Sequence, residues 1–99
     1  ATWDNYLLAQ CYQTSEERAK VIDVLEPLQH KKFVWWNLHL GLAYDSLNKF
    51  DIAKKHLDFV KKFLMEDHLS KIKFALTKQN QHLNTYPYIT KTLKKYGFE

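Results

Sequence analysis

Five histidines lie along the chain, at His30, His39, His56, His68 and His82, and no two of them stand three or four residues apart. A zinc or iron site on one helix or loop needs such a pair, or a Cys-x-x-Cys, and the sequence has neither. Cys11 is the only thiol, so an internal disulfide is excluded and a reducing compartment is compatible with the chain. Asp4, Glu16, Glu17, Asp23 and Glu26 read as cap and solvent-face charges, with no second carboxylate placed for acid–base work. Two glycines are too few for a phosphate-cradling loop, which excludes a P-loop or a dinucleotide fingerprint. The sequence therefore offers no catalytic set, metal site or cofactor site, and the expectation is a protein that is not an enzyme.

What must position these side chains is one domain. Its 99 residues can bury one modest core, and an apolar fraction of 45% is that of a globular chain. With Gly 2 and Pro 2, turn residues are far too sparse for an all-β fold. Charge divides unevenly. Residues 1–50 hold five basic and six acidic groups; residues 51–99 hold ten lysines against five acidic groups. The lysines of the second half, among them Lys54, Lys55, Lys61, Lys62, Lys71, Lys73 and Lys78, read first as a solvated surface. Bidentate phosphate or base recognition favours arginine, and that half has none. The alternative is a basic helical domain binding nucleic acid or another polyanion, with Lys54, Lys55, Lys61 and Lys62 forming one stripe. No stretch approaches the length of a membrane span and none reads as an N-terminal signal, so a cytoplasmic protein is expected. The first residue is Ala1, as expected of a processed form or of a piece cut from a longer protein.

Apolar spacing predicts helices nearly throughout. The first carries Trp3, Tyr6, Leu7, Leu8, Cys11 and Tyr12, ending near Thr14. Ser15 before Glu16 and Glu17 is an N-cap signal for a second, with Ala19, Val21, Ile22, Val24, Leu25 and Leu28, and Pro27 near its end. A break at about Gln29 to Lys32 precedes a third helix from Phe33 to Leu47. Asn48-Lys49 forms a turn, and a fourth helix carries Ile52 to Leu64. Asp67 is expected to cap a fifth helix reaching Leu76. Asn84 to Pro87 interrupts, and a last amphipathic helix or turn runs from Tyr88 to Tyr96, stopped by Gly97. Short loops make neighbours antiparallel, which predicts an all-α stack of helical hairpins with five or six helices.

Shifting the chain by 32 residues aligns Trp3 with Trp35, Asn5 with Asn37, Leu8 with Leu40, Tyr12 with Tyr44 and Leu25 with Leu57. Ala9 then meets Gly41, and Cys11 meets Ala43, so Cys11 reads as a small helix-packing residue rather than a nucleophile. Leu40-Gly41-Leu42-Ala43-Tyr44, with Asn48, Phe50, Ala53 and Leu57 downstream, resembles the tetratricopeptide repeat, and Leu8-Ala9-Gln10-Cys11-Tyr12 is a looser second match followed by Val21 and Leu25. The resemblance divides the single domain into repeat one (about 2–32), repeat two (about 34–64) and a degenerate third unit or cap (66–99). The family's repeat is roughly 34 residues, so a loop is shortened here. Asn5 and Asn37 stand at the family's tryptophan position, its closing proline is missing, and Lys78 stands where a third tyrosine would fall.

The resemblance implies that the first helix of each repeat lines a concave groove. Its matched positions are Trp3, Tyr6, Gln10 and Gln13 in the first unit and Trp35, Leu38, Leu42 and Asp45 in the second. Members that bind a peptide carboxyl terminus carry lysine and asparagine there; this chain does not. An aromatic and aliphatic trough implies instead a protein-interaction module or small chaperone-like adaptor that holds an apolar or amphipathic helix of a partner. Two other outcomes remain open: the trough is filled by the chain's own C-terminal helices, or it is satisfied by a second copy.

Overall fold

The computed structural model describes residues 2–14, 17–79 and 86–99. Among them six α-helices follow one another: α1 (Thr2–Thr14), α2 (Arg18–Leu25), α3 (Val34–Ser46), α4 (Phe50–Leu64), α5 (His68–Gln79) and α6 (Tyr86–Lys95). A short 3-10 turn, Glu26–Leu28, extends α2, with Pro27 at its start where a missing N–H costs nothing. The all-α expectation holds among these residues.

α3 is the centre. Trp36 to Ala43 are all buried, the polar Asn37 and His39 among them, so this stretch of α3 is enclosed on every side. Trp36, Leu40 and Ala43 face one core, shared with Ala9 of α1 and with Val21 and Leu25 of α2. Leu38 and Leu42 face a second core, shared with Leu57 and Val60 of α4, Ile72 and Leu76 of α5, and Ile89, Leu93 and Phe98 at the C-terminal end. Between these faces Gly41 meets α4. A Cβ at Gly41 would lie 2.5 Å from Cγ and Cδ2 of Leu57, so only glycine allows the two helices to approach this closely.

Helix ends follow local chemistry. Asn48 adopts the left-handed conformation (φ 61°) after α3, and Gly97 (φ 83°) does so after α6. In each case the next N–H reaches back to close the last turn: Lys49 N donates to Tyr44 O at 2.9 Å, and Phe98 N to Leu93 O at 3.2 Å. Three boundaries differ from the sequence expectation. α6 begins at Tyr86, before Pro87, because a proline in the first turn of a helix lacks only an N–H that would be unpaired there anyway. Asp67 is no ordinary cap: its φ of 55° is left-handed. The start of α5 is served instead by the far end of the chain, Leu69 N donating to Glu99 O at 2.7 Å. Glu17 occupies the N-cap of α2 with its carboxylate on Lys20 Nζ at 2.8 Å rather than on a helix N–H, while the expected cap Ser15, like Asn84 in the expected break, lies outside the described residues.

Candidate functional site

The two stretches that the 32-residue shift aligns agree inside and differ outside. Ala9 and Gly41 are both buried, as are Val21 with Ala53 and Leu25 with Leu57. Leu8 and Cys11, however, are exposed, whereas their counterparts Leu40 and Ala43 are buried. The reading of Cys11 as a packing residue is thereby corrected. Leu40 and Ala43 face the core beneath α2, while α1 lies at the outer edge of the bundle, where the same positions meet solvent.

The residues assigned to the groove fall into three groups. The side chains of Trp3, Tyr6 and Gln10 lie outside the described ones. Gln13 turns inward, 7% exposed, and its Nε2 donates to His39 O at 3.0 Å, so it ties α1 to α3 rather than facing a ligand. Leu38, Leu42 and Asp45 do share one face of α3, as their spacing requires, and Trp35 packs half-buried beside them. Over these α3 residues the face is covered by the chain's own C-terminal helix, α6.

α6 is seated by a graded set of contacts. Ile89 and Leu93 enter the apolar core over Leu38 and Leu42. At one margin the Arg18 guanidinium lies 3.8 Å from the centre of the Tyr88 ring, a cation–π contact. At the other, Asp45 is buried and holds the last side chain of α6 and the one that follows it: Oδ1 accepts from Lys95 Nζ at 3.0 Å and from the Tyr96 hydroxyl at 2.7 Å. Burial, and then the bond to Asp45, push the Tyr96 hydroxyl well above the usual phenol range. Lys61 of α4 closes the end, Nζ donating to Tyr96 O at 2.7 Å.

A second polar cluster lies on the opposite side of α3. The Tyr44 hydroxyl donates to Glu26 Oε1 at 2.7 Å, and burial followed by that bond raises it to about 12. His56 stacks on Tyr44 with ring centroids 5.8 Å apart and pairs through Nδ1 with Asn37 Oδ1 at 3.0 Å. The Asn37 amide nitrogen is already committed to Phe33 O and Lys31 O, so Oδ1 accepts and His56 Nδ1 carries the proton. Trp36 Nε1 donates to Leu25 O at 2.7 Å. These bonds clamp α2, α3 and α4 together.

Among the described residues no three of His, Cys, Asp and Glu gather as a metal site, and no helix is long and apolar enough to cross a membrane. The lysine stripe is partly neutralised by its own helix: Lys54 pairs with Asp58 at 2.6 Å, and Lys61 is drawn to Tyr96 and Asp58. Compared with protein-family models, with curated proteins and with solved structures, the chain matches none.

Proposed function

We propose that this tetratricopeptide-like pair of hairpins is a non-enzymatic interaction module, working in the cytoplasm, whose α3 face receives an amphipathic helix of a partner protein. The observation that supports the reading is the seating of α6. The face built from Leu38, Leu42, Trp35 and Asp45 already accommodates one amphipathic helix, through an apolar stripe flanked by polar anchors. A partner helix of the same design takes the place of α6, so binding is a competition between the intramolecular helix and an external one.

The test is a fluorescein-labelled peptide of residues 86–99, titrated by anisotropy into the full chain and into its Ile89→Ala variant. Ile89 lies at the rim of the core at 8% exposure, so its truncation loosens α6 while circular dichroism verifies that the other helices persist. Saturable binding is expected, tighter to the variant by roughly tenfold or more, since releasing the competitor raises the fraction of open groove. Binding no better than that of a scrambled peptide removes the groove as the site of action.

A further inference from the structure

We infer that Asp45 selects the occupant of this groove, and that the partner helix carries a lysine–tyrosine pair at its C-terminal end with an aromatic residue two turns earlier. The inference rests on the groove reading above and specifies the chemistry of what enters it.

The argument begins with where Asp45 lies. It stands on α3 one turn beyond Leu42, 5% exposed, at the edge of an otherwise apolar face. A carboxylate in such a place is tolerated only while donors reach it, because an unpaired buried charge is far costlier than an unpaired exposed one. The donors that reach it are the Tyr96 hydroxyl, at 2.7 Å from Oδ1, and Lys95 Nζ, at 3.0 Å from Oδ1 and 3.2 Å from Oδ2. Both belong to the occupant and neither to the groove. An apolar helix entering the groove without these groups would strip Asp45 of water and return nothing.

Apolar contact alone discriminates poorly between helices of similar size, whereas a buried group left unpaired by the wrong ligand discriminates strongly. Arg18 sets the second requirement. It lies over the Tyr88 ring at 3.8 Å, and the Tyr88 hydroxyl reaches Leu42 O at 3.4 Å. Between these anchors the occupant buries aliphatic bulk, as Ile89 and Leu93 supply, beside one small polar side chain, Thr92. The pattern is therefore aromatic, aliphatic, two free positions, a small polar residue that can be buried as Thr92 is, aliphatic, one free position, lysine, tyrosine.

The experiment uses the full-length Ile89→Ala chain and two labelled peptides of residues 86–99, one native and one carrying Lys95→Met and Tyr96→Phe. The native peptide should bind at least roughly tenfold more tightly. In the chain that also carries Asp45→Leu the preference should vanish or reverse, since the apolar peptide then leaves nothing unpaired. The Tyr96→Ala full-length chain, which removes one of the two donors to Asp45 and leaves Ile89 and Leu93 in place, serves as a second host if Ile89→Ala fails to fold. Equal binding of the two peptides, within about twofold, to a chain that keeps Asp45 overturns this inference and leaves the groove standing. Failure of both peptides to bind either host overturns the groove and the inference together.

Discussion

At the scale of single residues, Gly41 and His39 carry the sharpest consequences. Gly41 has no room for a side chain: the first atom added meets Leu57, itself fully buried. Gly41→Ala should therefore cost about 1–3 kcal/mol through overpacking. For a domain of this size that is a fall in Tm of at least about 4 °C. Pairing it with Leu57→Ala should recover part of the loss, because each change then relieves the other. An unchanged melting curve for Gly41→Ala would mean that α3 and α4 do not meet at this point.

His39 is buried on α3 with Nδ1 lacking a hydrogen-bond partner, and burial pushes its pKa down to about 4 from 6.5. The folded state thus holds this imidazole neutral where the unfolded chain would protonate it. Stability from this residue is complete above the unfolded value of 6.5 and is lost as pH falls from there towards 4. By pH 5 the loss amounts to about 2 kcal/mol. His56, lowered mainly by burial, acts in the same direction. Urea titrations at pH 7.5 and pH 5 should show the difference, and His39→Leu should shrink it. An equal pH dependence in that variant would assign the effect elsewhere.

At the scale of elements, the connection between α4 and α5 holds a strained residue. Met65 has φ 71° and ψ −74°, and Glu66 N donates to Leu64 O at 2.9 Å, a three-residue turn in its rarer, positive-φ form. Its side chain is 79% exposed, so nothing in the packing requires methionine. Met65→Gly should raise stability by about 1 kcal/mol, the relief of strain exceeding the entropy glycine adds to the unfolded chain. The opposite change at the end of α6, Gly97→Ala, should lower it by about 1 kcal/mol. If Met65→Gly melts below the parent chain, the turn is not under strain.

Most of these elements were legible in the sequence because they rest on local rules. The apolar period places the helices, and Asn48 and Gly97 end two of them by adopting a conformation most residues avoid. Pro87 misled for a reason equally local: a proline that breaks a helix interior is welcome in its first turn. Cys11 misled because repeat equivalence predicts the contacts of an interior unit, and α1 lies at an edge. The covering of Leu38, Leu42 and Asp45 was legible only as one of several outcomes. It depends on pairings such as Leu42 with Tyr88 and Asp45 with Tyr96, 46 and 51 residues apart, which no spacing rule constrains. The chemistry of that site was likewise divided: Asp45 is visible from the repeat, while Arg18, Tyr88, Lys95 and Tyr96 acquire meaning only when the C-terminal helix lies down.

At the scale of the whole molecule, the two cores on either side of α3 are unequal in what they depend on. The core of Ala9, Val21, Leu25, Trp36, Leu40 and Ala43 contains nothing from α6. The other loses Ile89, Leu93 and Phe98 if α6 leaves, yet keeps the contacts among α3, α4 and α5. The release of α6 is therefore a partial opening, lower in free energy than global unfolding. Native-state hydrogen exchange should separate the two. Amides of Thr92 and Leu93 should exchange through an opening that is less costly, and less sensitive to denaturant, than that of Leu40 or Leu42 in α3. Asp45→Asn removes the charge that holds Lys95 and weakens the bond to Tyr96, so it should speed exchange in α6 by about tenfold while leaving α3 nearly unchanged. That pattern would mark α6 as the exchangeable occupant of its own groove. Equal protection of α6 and α3, with Asp45→Asn shifting both together, would make α6 an inseparable part of one cooperative unit, and a partner helix could then enter only by unfolding the domain.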